Sequence, residues 1–200
     1  NKELYISLIA FAFTSFAMQI FFPYLIIYIQ NFLGFSSYVV LLAIVLIVAS
    51  VICVLGGKII KRGKEVNSSF VCVAVMALGL LMMTYARSFV FTTIAGIVMM
   101  SGYLLSTSLL SALSRGYTPK GNEGGIQGVR MVCQVMLPMV IGPFVGSIAI
   151  KGSNLTYEEL GVIKTVPTPL IFTISSVVAL LSIIPLVYLK KLESKNARIR

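Results

Sequence analysis

The sequence contains no histidine, and only six of its 200 residues are carboxylates. The absence of histidine removes the commonest general base, proton shuttle and metal ligand together. Glu3, Glu65, Glu123, Glu158, Glu159 and Glu193 fall in loops or near the ends of the chain, and none lies inside an apolar run. A proton relay or an intramembrane metalloprotease keeps Asp, Glu or His at mid-membrane, because an ionisable group in hydrocarbon is retained only for such work. Serines are plentiful, yet no base is at hand to activate one as a nucleophile. No enzymatic activity, cofactor or bound metal is therefore expected. Cys53, Cys72 and Cys133 all lie within apolar segments, which reads as packing and argues against a disulfide framework or a zinc site.

Charge is scarce as well. Charged residues make up 11% of the chain against 58% hydrophobic ones, and the mean hydropathy is +0.99. That leaves too little polar surface to coat a soluble globule, so the chain reads as an integral, all-α membrane protein whose main partner is the lipid bilayer. A net charge of +10 would point to nucleic acid in a soluble protein. Here the cations sit between apolar runs, where membrane orientation explains them, and no nucleic-acid partner is expected.

What the chain does contain is six apolar stretches near or above the roughly 20 residues that cross a bilayer. They run over about 4–33, 38–57, 66–86, 89–113, 126–150 and 169–189, with a basic tail over 190–200. Pro23 breaks the first and Pro138 and Pro143 interrupt the fifth; neighbouring helices can satisfy the freed carbonyls, so these predict kinks. Polar turns separate the stretches, and Arg87-Ser88 makes the tightest of them. The longest connection, 151–166, contains Thr156-Tyr157-Glu158-Glu159, which matches a capping box and predicts a short interfacial helix. Asn154-Leu155-Thr156 is formally a glycosylation sequon and reads as a turn. The chain opens on Asn1-Lys2-Glu3 rather than Met, which reads as a fragment or trimmed product.

Six spans put both termini on one side. With Lys2, that side carries Lys58, Lys61, Arg62, Lys64, Arg115, Lys120, Arg130 and the tail cations, against Arg87, Lys151 and Lys164 on the other. The positive-inside rule then places both termini in the cytoplasm, with the plasma membrane as the expected location.

The polar residues inside the spans are amides, hydroxyls and phenols. Ser15 and Gln19 stand four apart on the first span, with Pro23 next on the same face and Tyr24 beside it. On the fourth, Gly102, Tyr103, Ser106, Thr107, Leu110 and Ser114 trace a small and polar face. On the fifth, Gln127, Arg130, Gln134 and Pro138 recur at three- or four-residue spacing. Gln19, Tyr24, Tyr103, Ser106 and Gln134 are candidates to line a water-accessible cavity that recognises an uncharged polar solute; the competing reading is hydrogen bonding between helices. Ala49, Cys53 and Gly57 form a small-residue stripe on the second span. Gly142 and Gly146 form a GxxxG on the fifth, and the two patterns predict that these helices make tight contacts. The third and sixth spans are apolar nearly all round and suit the lipid-facing periphery.

The connection between the second and third spans is Gly56-Gly57-Lys58-Ile59-Ile60-Lys61-Arg62-Gly63-Lys64-Glu65. It resembles the loop Gly-x-x-x-Asp-Arg-x-Gly-Arg/Lys-Arg/Lys between the second and third helices of a six-helix unit in the major facilitator superfamily. Gly56, Lys61, Gly63 and Lys64 match; Ile60 replaces the acid and Glu65 a final cation. The chain is thus similar to one half, by its degenerate loop and basic tail the C-terminal half, of a 12-helix transporter. The resemblance implies a secondary transporter moving a small polar or amphipathic solute by alternating access, with a missing N-terminal six-helix half as partner; the amide and tyrosine lining slightly favours a sugar over an exported drug as substrate. It also implies that the first and fourth helices line the cavity, the second and fifth meet the other half, and the third and sixth brace the outside. Two other readings stay open: a six-helix substrate-binding subunit of an energy-coupling-factor importer, and a structural membrane subunit.

Overall fold

A computed structural model describes residues 2–60, 63–119, 121–151, 155–159 and 161–199. Six of its helices are long and apolar enough to cross a membrane: α1 Lys2–Phe32, α2 Tyr38–Ile59, α3 Glu65–Tyr85, α4 Phe89–Gly116, α5 Glu123–Ile150 and α6 Leu170–Lys195. Each coincides with one of the six apolar stretches. Hydrocarbon offers no partner to a peptide group, so a chain this apolar closes its hydrogen bonds within helices.

The prolines decide where those helices depart from regular geometry. After α-helical Lys2–Phe21, α1 tightens to a 3₁₀ turn over Phe22–Tyr24 at Pro23 and widens to a π-turn over Tyr28–Phe32. In α5 a π-turn over Val132–Met136 stands directly before Pro138. The wider turn relieves the clash between the proline ring and the carbonyl four residues back. In α6 the regular helix is interrupted at Ser182, three residues before Pro185.

The helices pack as two pairs around a centre. The closest pairing joins α3 and α4; α2 lies on α4, α5 on α1, and α6 spans α1 and α3, while α1 and α4 also touch. Glycines set the α3–α4 distance. A Cβ on Gly102 would stand 2.4 Å from the Met76 backbone nitrogen, and one on Gly79 would stand 2.3 Å from that of Met99. The two glycines are reciprocal, each taking the backbone of the other's helix. Small residues allow such approach where lipid gives no hydrophobic drive to association.

Residues near both ends of the chain meet in one cluster. Ala10 and Phe11 of α1, Val66 of α3, Leu110 and Leu113 of α4, and Leu186 and Leu189 of α6 form its buried core. Beyond it the Tyr117 hydroxyl donates to Glu193. Burial, that hydrogen bond, and the charges of Glu193, Glu3 and Glu65 push the Tyr117 pKa above its ordinary value, keeping it a phenol that can donate. At the far end Tyr28 stacks on Phe32 at 5.0 Å and meets Phe172 edge-on at 4.9 Å, and the Arg87 guanidinium sits 5.2 Å from the Phe32 ring centre. Arg87 also donates to the Ala86 carbonyl at 2.8 Å, satisfying a group at the C-terminus of α3.

Three expectations are corrected. The segment Thr156–Glu159 is a strand, β1, paired antiparallel with β2, Val162–Thr165; Tyr157 faces Lys164 and Glu158 faces Ile163 in register. A helix started at Thr156 would have to pass through Gly161, which adopts φ +77°, and through β-branched Val162, Ile163 and Thr165. Those residues favour a hairpin over a helix. The fold is therefore helical apart from this hairpin among the described residues. Second, the two small-residue stripes differ: Gly142 and Gly146 of α5 pack directly on α1, whereas α2 lies on α4 and a Cβ on its Gly57 would meet nothing within 4 Å. Third, α3 and α6 are no mere lipid-facing surface. Ser176 of α6 donates to the Ala77 carbonyl of α3 at 3.1 Å, and α2 and α5 are the most exposed helices.

In the last turn of α2, Gly56 sits against Leu105 of α4, and in the loop that follows the N–H of Gly63, at φ +83°, donates to the Glu65 carboxylate at 2.7 Å. Lys64 precedes α3 and is exposed. Lys61 and Arg62 lie outside the described residues, as do Lys120 and Asn154.

Gly102→Ala forces the α3 backbone away from α4 and is predicted to cost about 1–3 kcal/mol, the usual range for overpacking. A Cβ at Gly128 meets no neighbour, so Gly128→Ala should leave stability equal or higher by up to about 1 kcal/mol. Reversible unfolding in detergent reads the difference; equal destabilisation of both variants contradicts it.

Candidate functional site

One side of the central pair α1–α4 is left uncovered. α3 and α6 close the opposite side, α2 flanks α4, and α5 flanks α1. Along α1 the uncovered stripe runs through Ile9, Phe13, Phe16, Gln19, Pro23 and Ile26, all half-buried or exposed. Three- and four-residue steps keep these side chains on one face. On α4 the stripe is Ile97, Leu104, Ser108, Ser111 and Arg115. Polar groups thus begin near mid-helix on α1 and gather toward the terminal end of α4.

The candidate residues fall into different settings. Gln19 lies on the stripe and is half-buried. Pro23, four residues on, has no N–H to give the Gln19 carbonyl, and Gly142 of α5 packs directly on that peptide: a Cβ there would stand 2.8 Å from the Gln19 carbonyl carbon. Tyr24 is tied into the same contact. Its hydroxyl donates to the Pro143 carbonyl at 2.9 Å, and a Cβ on Gly146 would stand 2.4 Å from the Ile20 carbonyl oxygen and 2.6 Å from the Tyr24 ring. The GxxxG of α5 therefore seats α5 on the bent part of α1.

Tyr103 is half-buried on α4 near Ser15 of α1, whose buried hydroxyl makes no hydrogen bond among the described residues. Ser106 is fully buried and its hydroxyl donates to the Tyr103 carbonyl at 2.9 Å. Gln134 lies within the π-turn of α5, four residues before Pro138, as Gln19 lies four before Pro23. No hydrogen bond joins Gln134 to the other candidates among the described residues. The geometry brings Gln19 and Tyr24 together on the α1–α5 contact and Tyr103 to Ser15 on the α1–α4 contact, while Ser106 is turned inward.

Most hydroxyls in the spans serve neither a cavity nor a neighbouring helix. Ser7, Thr14, Ser69, Thr92, Ser101, Ser114 and Ser175 each donate to a carbonyl three or four residues earlier in their own helix. Such back-bonding satisfies a buried hydroxyl at no interhelical distance requirement. Ser111 escaped the sequence reading and has a larger part. Its hydroxyl accepts Arg130 Nη1–H of α5 at 2.9 Å, and its carbonyl accepts Arg115 Nε–H at 3.2 Å. The spacing of Ser111 four residues before Arg115 was the available signal.

The walls near Gln19 are apolar. A groove of about 340 Å³ between α1 and α5 is lined by Phe13, Phe16, Leu137 and Pro138 among others. A second pocket, about 150 Å³ and also apolar, lies between α1, α2 and α4 at Leu25, Leu41, Val45 and Met99. A ligand on this side meets aromatic and aliphatic surface with few polar groups, the usual makeup of a small-molecule site.

Tyr24→Phe removes the bond to Pro143 and is predicted to lower stability by about 0.5–1.5 kcal/mol, with a loss of cross-linking between cysteines placed on facing turns of α1 and α5; an unchanged melting curve contradicts that role. No protein-family model matches this chain, and no curated protein matches it.

Proposed function

We propose that the chain is one six-helix wall of a secondary transporter of the major facilitator type. The observation that carries this reading is the uncovered α1–α4 face, flanked by the two most exposed helices. Two such bundles placed face to face enclose a cavity between their α1–α4 faces, with α2 and α5 forming the seams. Val40, Ile47, Val51 and Val54 of α2, and Met136, Val140, Phe144 and Ile148 of α5, supply the apolar seam surfaces. The missing partner is a second six-helix half, and transport follows from rocking of the two halves around a site near mid-membrane.

The substrate class is a small uncharged or amphipathic solute. Gln19 offers an amide for hydrogen bonding at mid-helix, and Phe13 and Phe16 offer apolar surface one and two turns away. This lining favours an amphipathic solute over a sugar, whose many hydroxyls require more polar partners than the stripe presents. Coupling to protons or sodium draws on ionisable residues of the other half. The excess of cations on the terminal end orients that end to the cytoplasm.

In the complete transporter Gln19→Ala should reduce uptake about tenfold, the effect of losing one substrate hydrogen bond, while expression stays intact. The 200-residue chain alone should carry no flux in proteoliposomes. Unchanged uptake rejects the role of Gln19, and flux through the isolated chain rejects the two-wall reading.

A further inference from the structure

The terminal ends of α4 and α5 enclose a polar pocket of about 310 Å³, lined by Ser114, Arg115, Thr118, Glu123, Gln127 and Arg130. Arg130 enters it from two turns inside α5, about 10 Å of helix rise below Glu123. A guanidinium two turns inside a helix long and apolar enough to cross a membrane is costly unless it is paired. Its hydrogen bond to Ser111 Oγ uses one donor. Its Nε–H is buried and has no acceptor among the described residues. A second cation, Arg115, lines the same pocket.

Two guanidinium groups in one pocket repel each other, and an anion between them turns that repulsion into attraction. Ser111 holds both in place, taking Arg130 on its hydroxyl and the Arg115 Nε–H on its carbonyl, which leaves the Arg115 terminal N–H groups for the pocket. The Ser114 hydroxyl donates within α4 and the Thr118 hydroxyl donates back to the Ser114 carbonyl, so the donors left for a ligand are the two arginines and the Gln127 amide. A carboxylate has two oxygens for these donors. A phosphate has three or four and matches two planar forks at once.

We propose that Arg115 and Arg130, positioned by Ser111, bind a phosphate group at the terminal end of the bundle, supplied either by an anionic lipid headgroup or by a soluble phosphate. The site is independent of the transport reading, since it needs only α4 and α5. Glu123, on the same pocket, opposes the anion and limits its affinity.

The test is calorimetry on the whole protein in an uncharged detergent, titrated with inorganic phosphate, with short-chain phosphatidylglycerol, and with short-chain phosphatidylcholine as a lipid of no net charge. Saturable binding of inorganic phosphate identifies a soluble source; binding of phosphatidylglycerol alone identifies a lipid. In either case Arg130→Gln and Arg115→Gln should each weaken binding about tenfold or more, Ser111→Ala should weaken it less, and Glu123→Gln should tighten it. Arg115 is exposed, so Arg115→Gln carries the test if Arg130→Gln does not fold. No binding of either phosphate probe, equal binding of phosphatidylcholine, or folded arginine variants with unchanged affinity would overturn the proposal.

Discussion

Close approach of helix backbones at glycine is the constraint on which the rest of this bundle depends. Gly79 and Gly102 bring α3 and α4 together, and Gly142 and Gly146 seat α5 on α1. Inside a bilayer lipid chains are as apolar as leucine, so helix association draws on packing and on the few hydrogen bonds that cross between helices. With two pairs fixed by glycine, α6 fills the gap between α1 and α3, α2 rests mainly on α4, and one side of α1–α4 stays open. The open face follows from which helices carry the glycines.

Proline and glycine act together at the α1–α5 contact. Pro23 leaves the Gln19 carbonyl without its helical donor and bends α1 through a 3₁₀ turn, and the glycines of α5 lie on that bend. Tyr24 then reaches the Pro143 carbonyl, a group beside the proline of the partner helix. The remaining polar contacts between helices among the described residues are few: Ser176 to Ala77, Thr84 to Thr173, Arg130 to Ser111, and Tyr117 to Glu193. Most hydroxyls are satisfied by their own helix, so the bundle is held by shape more than by polar ties.

The sequence was legible where the physics is one-dimensional. Span number and position follow from length and hydropathy, and each of the six helices stands on an apolar stretch. Partner choice was not legible: Gly142 and Gly146 signal close approach without saying to what, and their target turned out to be the bent part of α1 at Gln19 to Tyr24. Gly79, alone in an apolar run, carried no visible motif, although it makes one of the tightest contacts. The stretch from Thr156 was misread because its capping pattern is local, whereas Gly161 and the β-branched residues after it decide for a hairpin. Of the candidate site, Gln19 is half-buried on the same stripe of α1 as Phe16 and Pro23. Ser106, read from the same kind of periodicity, faces the core, because a face on a helical wheel does not tell inside from outside in a chain whose exterior is also apolar.

Whether the open α1–α4 face meets water or lipid separates a transporter wall from a bundle that ends at the bilayer. The direct measurement is thiol labelling of Gln19→Cys, in a background with Cys53, Cys72 and Cys133 replaced, in membranes of cells that make the protein. A water-filled cavity between two bundles predicts that a charged, membrane-impermeant methanethiosulfonate modifies this cysteine, at a rate that changes when transport substrate is present. A cysteine there that reacts only with apolar, membrane-permeant maleimides, at a rate no solute alters, would contradict the account.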